Sequence, residues 1–428
     1  MKKTFKSASI LAVAALSATS MMAGIAGAAG KSPVDTQMAN DLHLKANVDH
    51  QIITGGSSFD ANLLTVAVQQ FNSNNTKSTA PFAAYATSSS GTGRSSATGA
   101  TSSTPTIGFS DFPLNQAGNS DTTSPDVVGN YVQVPAVLGG VGIIYNLGTS
   151  DATLTSLLAK YPLTLSGTIL GKIFAADPGY TTWNNAAICA LNPKLVETVT
   201  SGKKKTSVCA LPDTTIKFVS RKAGSGTTYM FKDYLSKVDP ADFPTSSNPN
   251  SAVFAGAAIN TAGNSATIDG EVSATVGTIG YVEYGYGILD GNPMASIINA
   301  SGVAVQPNAA GITAAATAGL AKIGTLAFDS LAHYSINNET GKTVYPISGF
   351  SYAIVKKNQT DSKDAIAIAK FLDFLVHAGG GSSAPTTFGQ DFAVSQGYAP
   401  LPAAVQAQAR TLIAQINVGG TSALSTTN

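Results

Sequence analysis

Charged side chains are scarce in this sequence. Only 11% of the residues are Asp, Glu, Lys or Arg, and the formal net charge is +1. An average soluble protein has roughly a quarter of its residues charged. A nucleic-acid surface needs clustered basic residues with stacking aromatic ones, whereas the one basic run, 203–205, is most simply a solvated loop. The composition therefore argues against a nucleic-acid partner.

Histidine and cysteine are also rare, with four His and two Cys in the chain. The four histidines are scattered and give no zinc-type ligand spacing, so we expect no metal and no cofactor. Both cysteines, Cys189 and Cys209, lie in one polar segment. In an exported chain, a disulfide that closes this loop is favoured over two free thiols.

Beyond the N-terminus, no apolar run reaches membrane-spanning length. The first residues combine Lys2, Lys3 and Lys6 with an apolar stretch and then Ala26-Gly27-Ala28, which predicts a cleavable signal peptide over residues 1–28. No Cys follows the cleavage site, which argues against a lipid anchor. We expect a periplasmic or secreted protein, large enough for two domains.

Motifs of common enzyme classes are incomplete or absent. A serine hydrolase elbow needs Gly two residues before its Ser, and Ala223 occupies that position before Ser225. No Gly-Lys-Ser/Thr sequence ends a phosphate-cradling loop, and the glycines at 139–142 lack the third Gly of a dinucleotide loop. We therefore expect that the protein is not an enzyme.

Strand and helix patterns alternate along the chain, which indicates an α/β fold with mixed sheets flanked by helices. Strands are expected at 51–54, 82–86, 106–111 and 350–355, and helices around 63–71, 364–375 and 402–416. Residues 87–106 are almost all Ser, Thr, Gly and Ala, which predicts a loop or a partly disordered insert.

Two extended X-Pro segments, 132–135 and 344–347, have the character of crossings between lobes. If the chain leaves the first lobe at one and returns at the other, residues 29–133 and 347–428 form lobe 1, and residues 134–346 form lobe 2. Two lobes joined by two strands imply a cleft and a hinge.

The segment 221–228 carries the strongest functional signal. Arg221 follows the strand-like residues Phe218 and Val219, and a small turn with Ser225 then opens a helix. Backbone N–H groups and the positive end of the macrodipole at a helix N-terminus favour an anion. An ordinary turn and N-cap is the alternative interpretation of this segment alone.

Taken together with other motifs along the chain, this segment makes the sequence resemble a known family, the phosphate-binding proteins of bacterial phosphate ABC transporters. The resemblance runs from about residue 54 to 416 and is carried by four ordered stretches: 54–59, 108–114, 221–228 and 279–286. It implies a two-lobed periplasmic binding protein of type II, with the ligand in the cleft. It also implies inorganic phosphate and a membrane permease as partners, and we expect a monomer.

The resemblance implies a set of phosphate ligands: Ser58, Ser89, Asp111, Arg221, Ser225, Gly226 and Thr227. Ser90, one step from Ser89, is the other candidate within the Ser-Ser-Gly loop. Asp111 has a second interpretation as a turn residue before Phe112-Pro113, and we assign Glu283 to strand packing rather than to the ligand. The chain departs from the family pattern at Ala223, where an acidic residue is common.

Chemistry independent of the resemblance supports these roles. A desolvated oxyanion needs many donors, which small hydroxyls and backbone amides supply, and Arg221 can bind it bidentately. A carboxylate such as Asp111 only accepts hydrogen bonds, so it suits hydrogen phosphate and repels sulfate. The expected function is phosphate capture for an ABC permease. The alternative is a secreted or surface-associated relative that scavenges phosphate or mediates attachment without a transporter.

Overall fold

The computed structural model describes residues 44, 46–73, 80–114, 129–148, 150–221, 225–244, 254, 259–261, 264–320, 335–377 and 389–423. The expected signal peptide over residues 1–28 and the departure at Ala223 lie outside these residues. None of the described helices is both long and apolar enough to cross a bilayer.

Twelve helices are described, several of them opened by Ser, Asp or Asn caps that accept a hydrogen bond from the first turn. They are α1 (Ala61–Ser73), α2 (Ser90–Thr98), α3 (Ala152–Lys160), α4 (Gly167–Phe174), α5 (Ala186–Leu191), α6 (Gly226–Val238), α7 (Ser265–Ala274), α8 (Tyr284–Asp290), α9 (Ala309–Ala318), α10 (Ser362–Val376), α11 (Gln390–Ser395) and α12 (Ala403–Ile413).

The described strands are mostly short. They are β1 (Ile53–Gly56), β2 (Ala86–Thr87), β3 (Thr106–Ser110), β4 (Tyr131–Tyr145), β5 (Thr164–Ser166), β6 (Val196–Ser201), β7 (Lys204–Cys209), β8 (Lys217–Arg221), β9 (Ile259–Thr261), β10 (Thr278–Glu283), β11 (Ser296–Ile298), β12 (Ala304–Val305), β13 (Ser348–Lys356), β14 (Asn417–Val418) and β15 (Thr421–Ser422). Eight of them form one sheet in the order β2-β1-β3-β13-β4-β10-β8-β9. The sheet is mixed, because β1 pairs with β3 in parallel while β4 pairs with β13 and β10 antiparallel.

Strand β4 connects the two halves of this sheet. It is 15 residues long and buried along its whole length. As far as Gly140 it pairs with β13, and from Val141 onwards it pairs with β10. The change of partner therefore lies C-terminal to the segment 132–135, while the segment 344–347 immediately precedes β13. The division into lobes at these segments stays a prediction.

Each half of the sheet has its own aromatic cluster. Phe71, Phe82, Phe371 and Phe374 pack beside β1, with ring centroids 4.8 to 6.3 Å apart. Phe174, Phe218, Phe231, Phe254 and Tyr281 pack beside β8 and β10 in the other half. Edge-on, tilted and stacked ring pairs of this kind add to the burial of apolar surface.

Helix α2 corrects the interpretation of residues 87–106 as a loop or partly disordered insert. The helix packs directly on β3, and glycines allow the close approach. A Cβ on Gly93 would lie 2.1 Å from the carbonyl oxygen of Phe109, and a Cβ on Gly108 would lie 1.9 Å from that of Gly93. A weakly helical, polar sequence is therefore held as a helix by its fit to the sheet.

Other sequence predictions have mixed outcomes. The helices expected around 63–71, 364–375 and 402–416 and the strands expected at 106–111 and 350–355 are confirmed with small shifts at their ends. The strand expected at 51–54 begins at Ile53. The strand expected at 82–86 was wrong in extent, because only a bridge between Ile52 and Phe82 and the short β2 form there.

The expected disulfide between Cys189 and Cys209 is present, with the two Cα atoms 5.9 Å apart. It ties α5 to the end of β7, which forms a largely exposed hairpin with β6. A cross-link here constrains a segment that has little core of its own.

Candidate functional site

Asp111 follows directly after β3 and is 3% exposed. Because β1 and β3 are parallel neighbours, their carboxyl ends meet at one edge of the sheet, where α/β proteins bind ligands. Ser57, just after β1, donates its hydroxyl to Asp111 Oδ1 at 2.5 Å, and Ser90 donates to Oδ2 at 3.1 Å. The Asp111 backbone N–H in turn donates to Ser90 Oγ at 3.2 Å. The carboxylate is thus fixed by hydroxyl donors.

Burial raises the pKa of Asp111 to about 6, although the Ser57, Ser351 and Ser90 hydroxyls and the nearby Arg221 charge oppose the rise. The carboxylate is the prevailing form at neutral pH. In that form it can only accept hydrogen bonds.

Arg221 is the last residue of β8 and is 4% exposed. Its backbone N–H donates to the Tyr281 hydroxyl at 3.3 Å, and its Nη1 makes a weak contact with Ser58 Oγ at 3.5 Å. Its buried Nε has no hydrogen-bond partner within the described ranges. Burial lowers the pKa of Arg221, while Tyr281, Glu283 and Asp111 oppose that shift. A guanidinium keeps its charge at any physiological pH.

The N-terminus of α6 reaches the Asp111 side chain. Ser225 caps the helix and accepts a hydrogen bond from the Thr228 N–H at 3.2 Å. The N–H groups of Gly226 and Thr227 lie in the first turn, where a helix offers no internal acceptor. A Cβ on Gly226 would lie 2.3 Å from Asp111 Oδ2, so only glycine permits this contact. The Thr227 hydroxyl is buried and has no partner in the part of the chain that the structure describes.

Helix α2 begins beside the same carboxylate. Ser89 caps it by accepting the Thr92 N–H at 3.2 Å and also contacts the Thr92 hydroxyl at 3.0 Å. Ser90, the first helical residue, is 1% exposed and bonds to Asp111. Two helix N-termini thus converge on one site, and their dipoles favour negative charge there.

The structure brings together most of the residues predicted from the sequence. Asp111 and Gly226 are in contact, Arg221 reaches Ser58, and Ser225 and Thr227 belong to the same helix start as Gly226. Ser89 caps α2, whereas its neighbour Ser90 contacts Asp111. The sequence analysis missed Ser57, although it stands beside Ser58 in the same turn.

Two further carboxyl groups are buried at the site, and sequence analysis did not assign them to it. Asp60 follows the Ser57–Phe59 turn and accepts the Ser351 hydroxyl on Oδ2 at 2.5 Å. Glu283 ends β10, a strand buried at every position. The signal in the sequence for Glu283 is an acidic residue at the end of a mostly apolar strand pattern. Burying a charged carboxylate is costly unless it is paired.

A small cavity adjoins Asp111 between α6 and β13. Its volume is about 20 Å³, enough for one water molecule. Its lining includes Tyr229, Met230, Gly349 and Tyr352. The Phe112 and Tyr229 rings, with centroids 5.5 Å apart, pack near this cavity and join the α6 side to the β3 side.

The eight-stranded mixed sheet and the buried site, which is suited to an anion, are features expected of a binding protein. A family model for the PBP superfamily domain matches residues 35–378. The chain belongs to the PBP superfamily, and its mixed α/β fold is that of the two-lobed periplasmic binding proteins.

Individual relatives carry more specific names. The chain is 30% identical over 271 residues to the phosphate-binding protein PstS of Xylella fastidiosa strain 9a5c, a match that covers 63% of each protein. It is 28% identical over 281 residues to PstS of Haemophilus influenzae, covering 64% of this chain and 70% of that one. The match thus spans less than two thirds of the Xylella protein's length.

Solved structures share the fold. One is a high-affinity periplasmic phosphate-binding protein (PfluDING) with bound phosphate, at a TM-score of 0.55 and 21% identity, covering 84% of this chain and 93% of that chain. Another is a phosphate-binding protein from Stenotrophomonas maltophilia, at a TM-score of 0.54 and 19% identity, with the same coverage of each chain.

Proposed function

We propose that this protein is an exported binding protein, not an enzyme, that takes up inorganic phosphate and delivers it to the permease of a phosphate ABC transporter. One observation carries the proposal. The buried Asp111 carboxylate lies against the N-terminus of α6, the helix that follows the buried Arg221. The relatives named as phosphate-binding proteins support the same ligand.

The proposed ligand is hydrogen phosphate. Arg221 supplies positive charge, and the N–H groups of Gly226 and Thr227 supply donors without bulk. Asp111 accepts the proton that hydrogen phosphate still carries, whereas sulfate has no proton at neutral pH and would meet repulsion. We propose Ser58, Ser225 and Thr227 as hydroxyl donors. At the start of α2 we favour Ser90 over Ser89, because Ser90 touches Asp111.

We further propose that phosphate binds in a cleft between lobe 1, residues 29–133 and 347–428, and lobe 2, residues 134–346. Asp111, Ser58 and Ser90 precede the first crossing, and Arg221 and the start of α6 lie between the crossings. A single anion can contact both sets only when they approach each other. The protein would act as a monomer in the periplasm or outside the cell.

Calorimetric titration of purified, phosphate-stripped protein tests the binding proposal. We expect about one phosphate per chain and no competition from sulfate at comparable concentration. Asp111→Asn should relax this discrimination, because an amide can also donate. Asp151→Asn, at an exposed helix cap, is the matched control and should change neither affinity.

Sulfate binding as tight as phosphate binding in the unmodified protein would refute the role of Asp111. Delivery to a permease is tested separately, by phosphate uptake in cells that lack the gene. Unimpaired uptake together with tight binding would favour scavenging or attachment without a transporter.

A further inference from the structure

The site contains three buried carboxyl groups beside the Arg221 guanidinium, and a second buried guanidinium, that of Arg94, lies 4.0 Å from the centroid of the Phe112 ring. Asp60, Asp111 and Glu283 are 0%, 3% and 1% exposed. The charge of Asp111 raises the pKa of both Asp60 and Glu283, and the charge of Glu283 raises that of Asp60. Arg221 faces Glu283 and Asp111. Among the described residues, no three His, Cys, Asp or Glu side chains are arranged to hold a metal ion. Three ionised carboxylates beside an anion would therefore outnumber the two guanidinium charges, which is strongly unfavourable in a buried site.

Hydrogen bonds distinguish the three acids. Asp111 receives donors from two serines, and Asp60 receives one from Ser351. Neither carboxyl oxygen of Glu283 has a hydrogen bond within the described ranges, and the Ser265 hydroxyl, which favours its charged form, lies outside hydrogen-bond geometry. Glu283 is thus the acid with the least local support for a negative charge.

The pKa values of Glu283 and Asp111 agree with this difference in hydrogen bonding. Burial raises the pKa of Glu283 to about 8, that of Asp111 only to about 6, and that of Asp60 well above its ordinary value. Tyr286 and Tyr398 also face Glu283. Burial raises the pKa of Tyr286 to about 12 and that of Tyr398 well above its usual range, so both remain neutral near pH 8.

We propose that Glu283 is a positioning residue that must be a neutral acid for the site to accept a dianion, because its ionised form would compete with the ligand for the charge of Arg221. The proposal rests on the proposed anion-binding function. Ligand binding then favours protonated Glu283, so its pKa is higher in the bound protein than in the unliganded one. Affinity is fully present below the unliganded pKa and falls as the pH rises above it.

The test compares the pH profiles of phosphate affinity for the unmodified protein, Glu283→Gln and Glu271→Gln. Glu271 is a partly exposed carboxyl on α7 and serves as the matched control. Dissociation constants are measured by calorimetry from about pH 6.5 to about pH 9.5. We expect the unmodified protein and the control to lose affinity by up to about tenfold per pH unit above pH 8. The Gln variant should lose much less. Phosphate itself also titrates in this range, but its effect is the same for all three proteins. It therefore cancels when the dissociation constants of two proteins are divided at each pH.

Parallel profiles of the unmodified protein and Glu283→Gln would overturn the assignment to Glu283. Absence of phosphate binding at neutral pH would instead reject the proposed function, so the two failures are distinguishable. A second measurement needs no variant: proton uptake on phosphate binding at about pH 8.5, from calorimetry in two buffers of different ionisation enthalpy. We expect uptake of a substantial fraction of one proton, and no uptake would overturn the proposal.

Discussion

The contact between Gly226 and Asp111 leads to the sharpest prediction for the site. A Cβ at Gly226 would lie 2.3 Å from both the Cβ and the Oδ2 of Asp111, and 2.5 Å from its Cγ. Since carbon atoms in contact are normally about 3.5–4.0 Å apart, Gly226→Ala forces α6 and Asp111 apart by roughly 1 Å or more. Overpacking of this kind costs about 1–3 kcal/mol, which corresponds to a phosphate affinity about 5-fold to about 150-fold weaker.

If the two lobes close around phosphate as proposed, this cost should fall on the ligand-bound arrangement, in which the two sides meet. Gly226 has no positive φ, so alanine meets no backbone strain at this position. Calorimetry measures the affinity, and thermal unfolding of the ligand-free protein measures stability, which we expect to change little. Gly270→Ala is the matched control, since that helical glycine has no atom within 4 Å of the added Cβ. Unchanged affinity in Gly226→Ala would refute the close approach of the α6 N-terminus to Asp111 in the bound state.

Three further predictions concern charge, cross-link and closure. Arg221→Lys should weaken phosphate binding by about 1.5–3 kcal/mol, because a bidentate charged donor is lost. Unchanged affinity in calorimetry would mean that Arg221 does not bind the phosphate. Reduction of Cys189–Cys209 should destabilise folding by up to about 3 kcal/mol and lower the melting temperature. Phosphate affinity should remain nearly intact, and a large loss of affinity would connect the hairpin to the site. Small-angle scattering should give a smaller radius of gyration with phosphate than without, and identical profiles would argue against lobe closure.

The main residues of the site could be predicted from the sequence, because the patterns that mark them are local. Asp111 ends an apolar strand, and Arg221 stands between a strand pattern and a helix-capping Ser225. These residues lie where the backbone changes from strand to helix, which short-range patterns can reveal. The paired cysteines were predictable for a similar reason, since both lie in one polar segment of a chain that we expect to be exported.

Helix α2 could not be predicted in this way. Its sequence, Ser-Gly-Thr-Gly-Arg-Ser-Ser-Ala-Thr, has a low helix propensity, and its two glycines would weaken an isolated helix. The helix depends on the contact of Gly93 with the backbone of β3, which is a tertiary interaction. For the same reason the sequence analysis favoured Ser89 over Ser90 as a ligand. Only the geometry of the helix determines which of the two serines faces Asp111.

Glu283 illustrates a different limit. Its strand pattern correctly indicates burial, but a single sequence does not reveal which charges face a buried acid across the sheet. Asp111 and Arg221 come from strands that are distant along the chain. The chemistry of the carboxyl group therefore emerges only from the assembled sheet.

Strand β4 also has a consequence for how the chain can fold. It supplies a central strand to both halves, and its adjacent glycines serve different neighbours: Gly139 lies against the Phe59 ring and Gly140 against Ile312 and Tyr345. A fragment cut at this strand would expose an unpaired apolar edge in one half, which invites aggregation. The two lobes would thus be a single cooperative folding unit rather than independent domains, and β4 would have to pair early on both sides. We expect separately expressed halves to be insoluble, and co-expression to restore folded protein only where β4 remains whole.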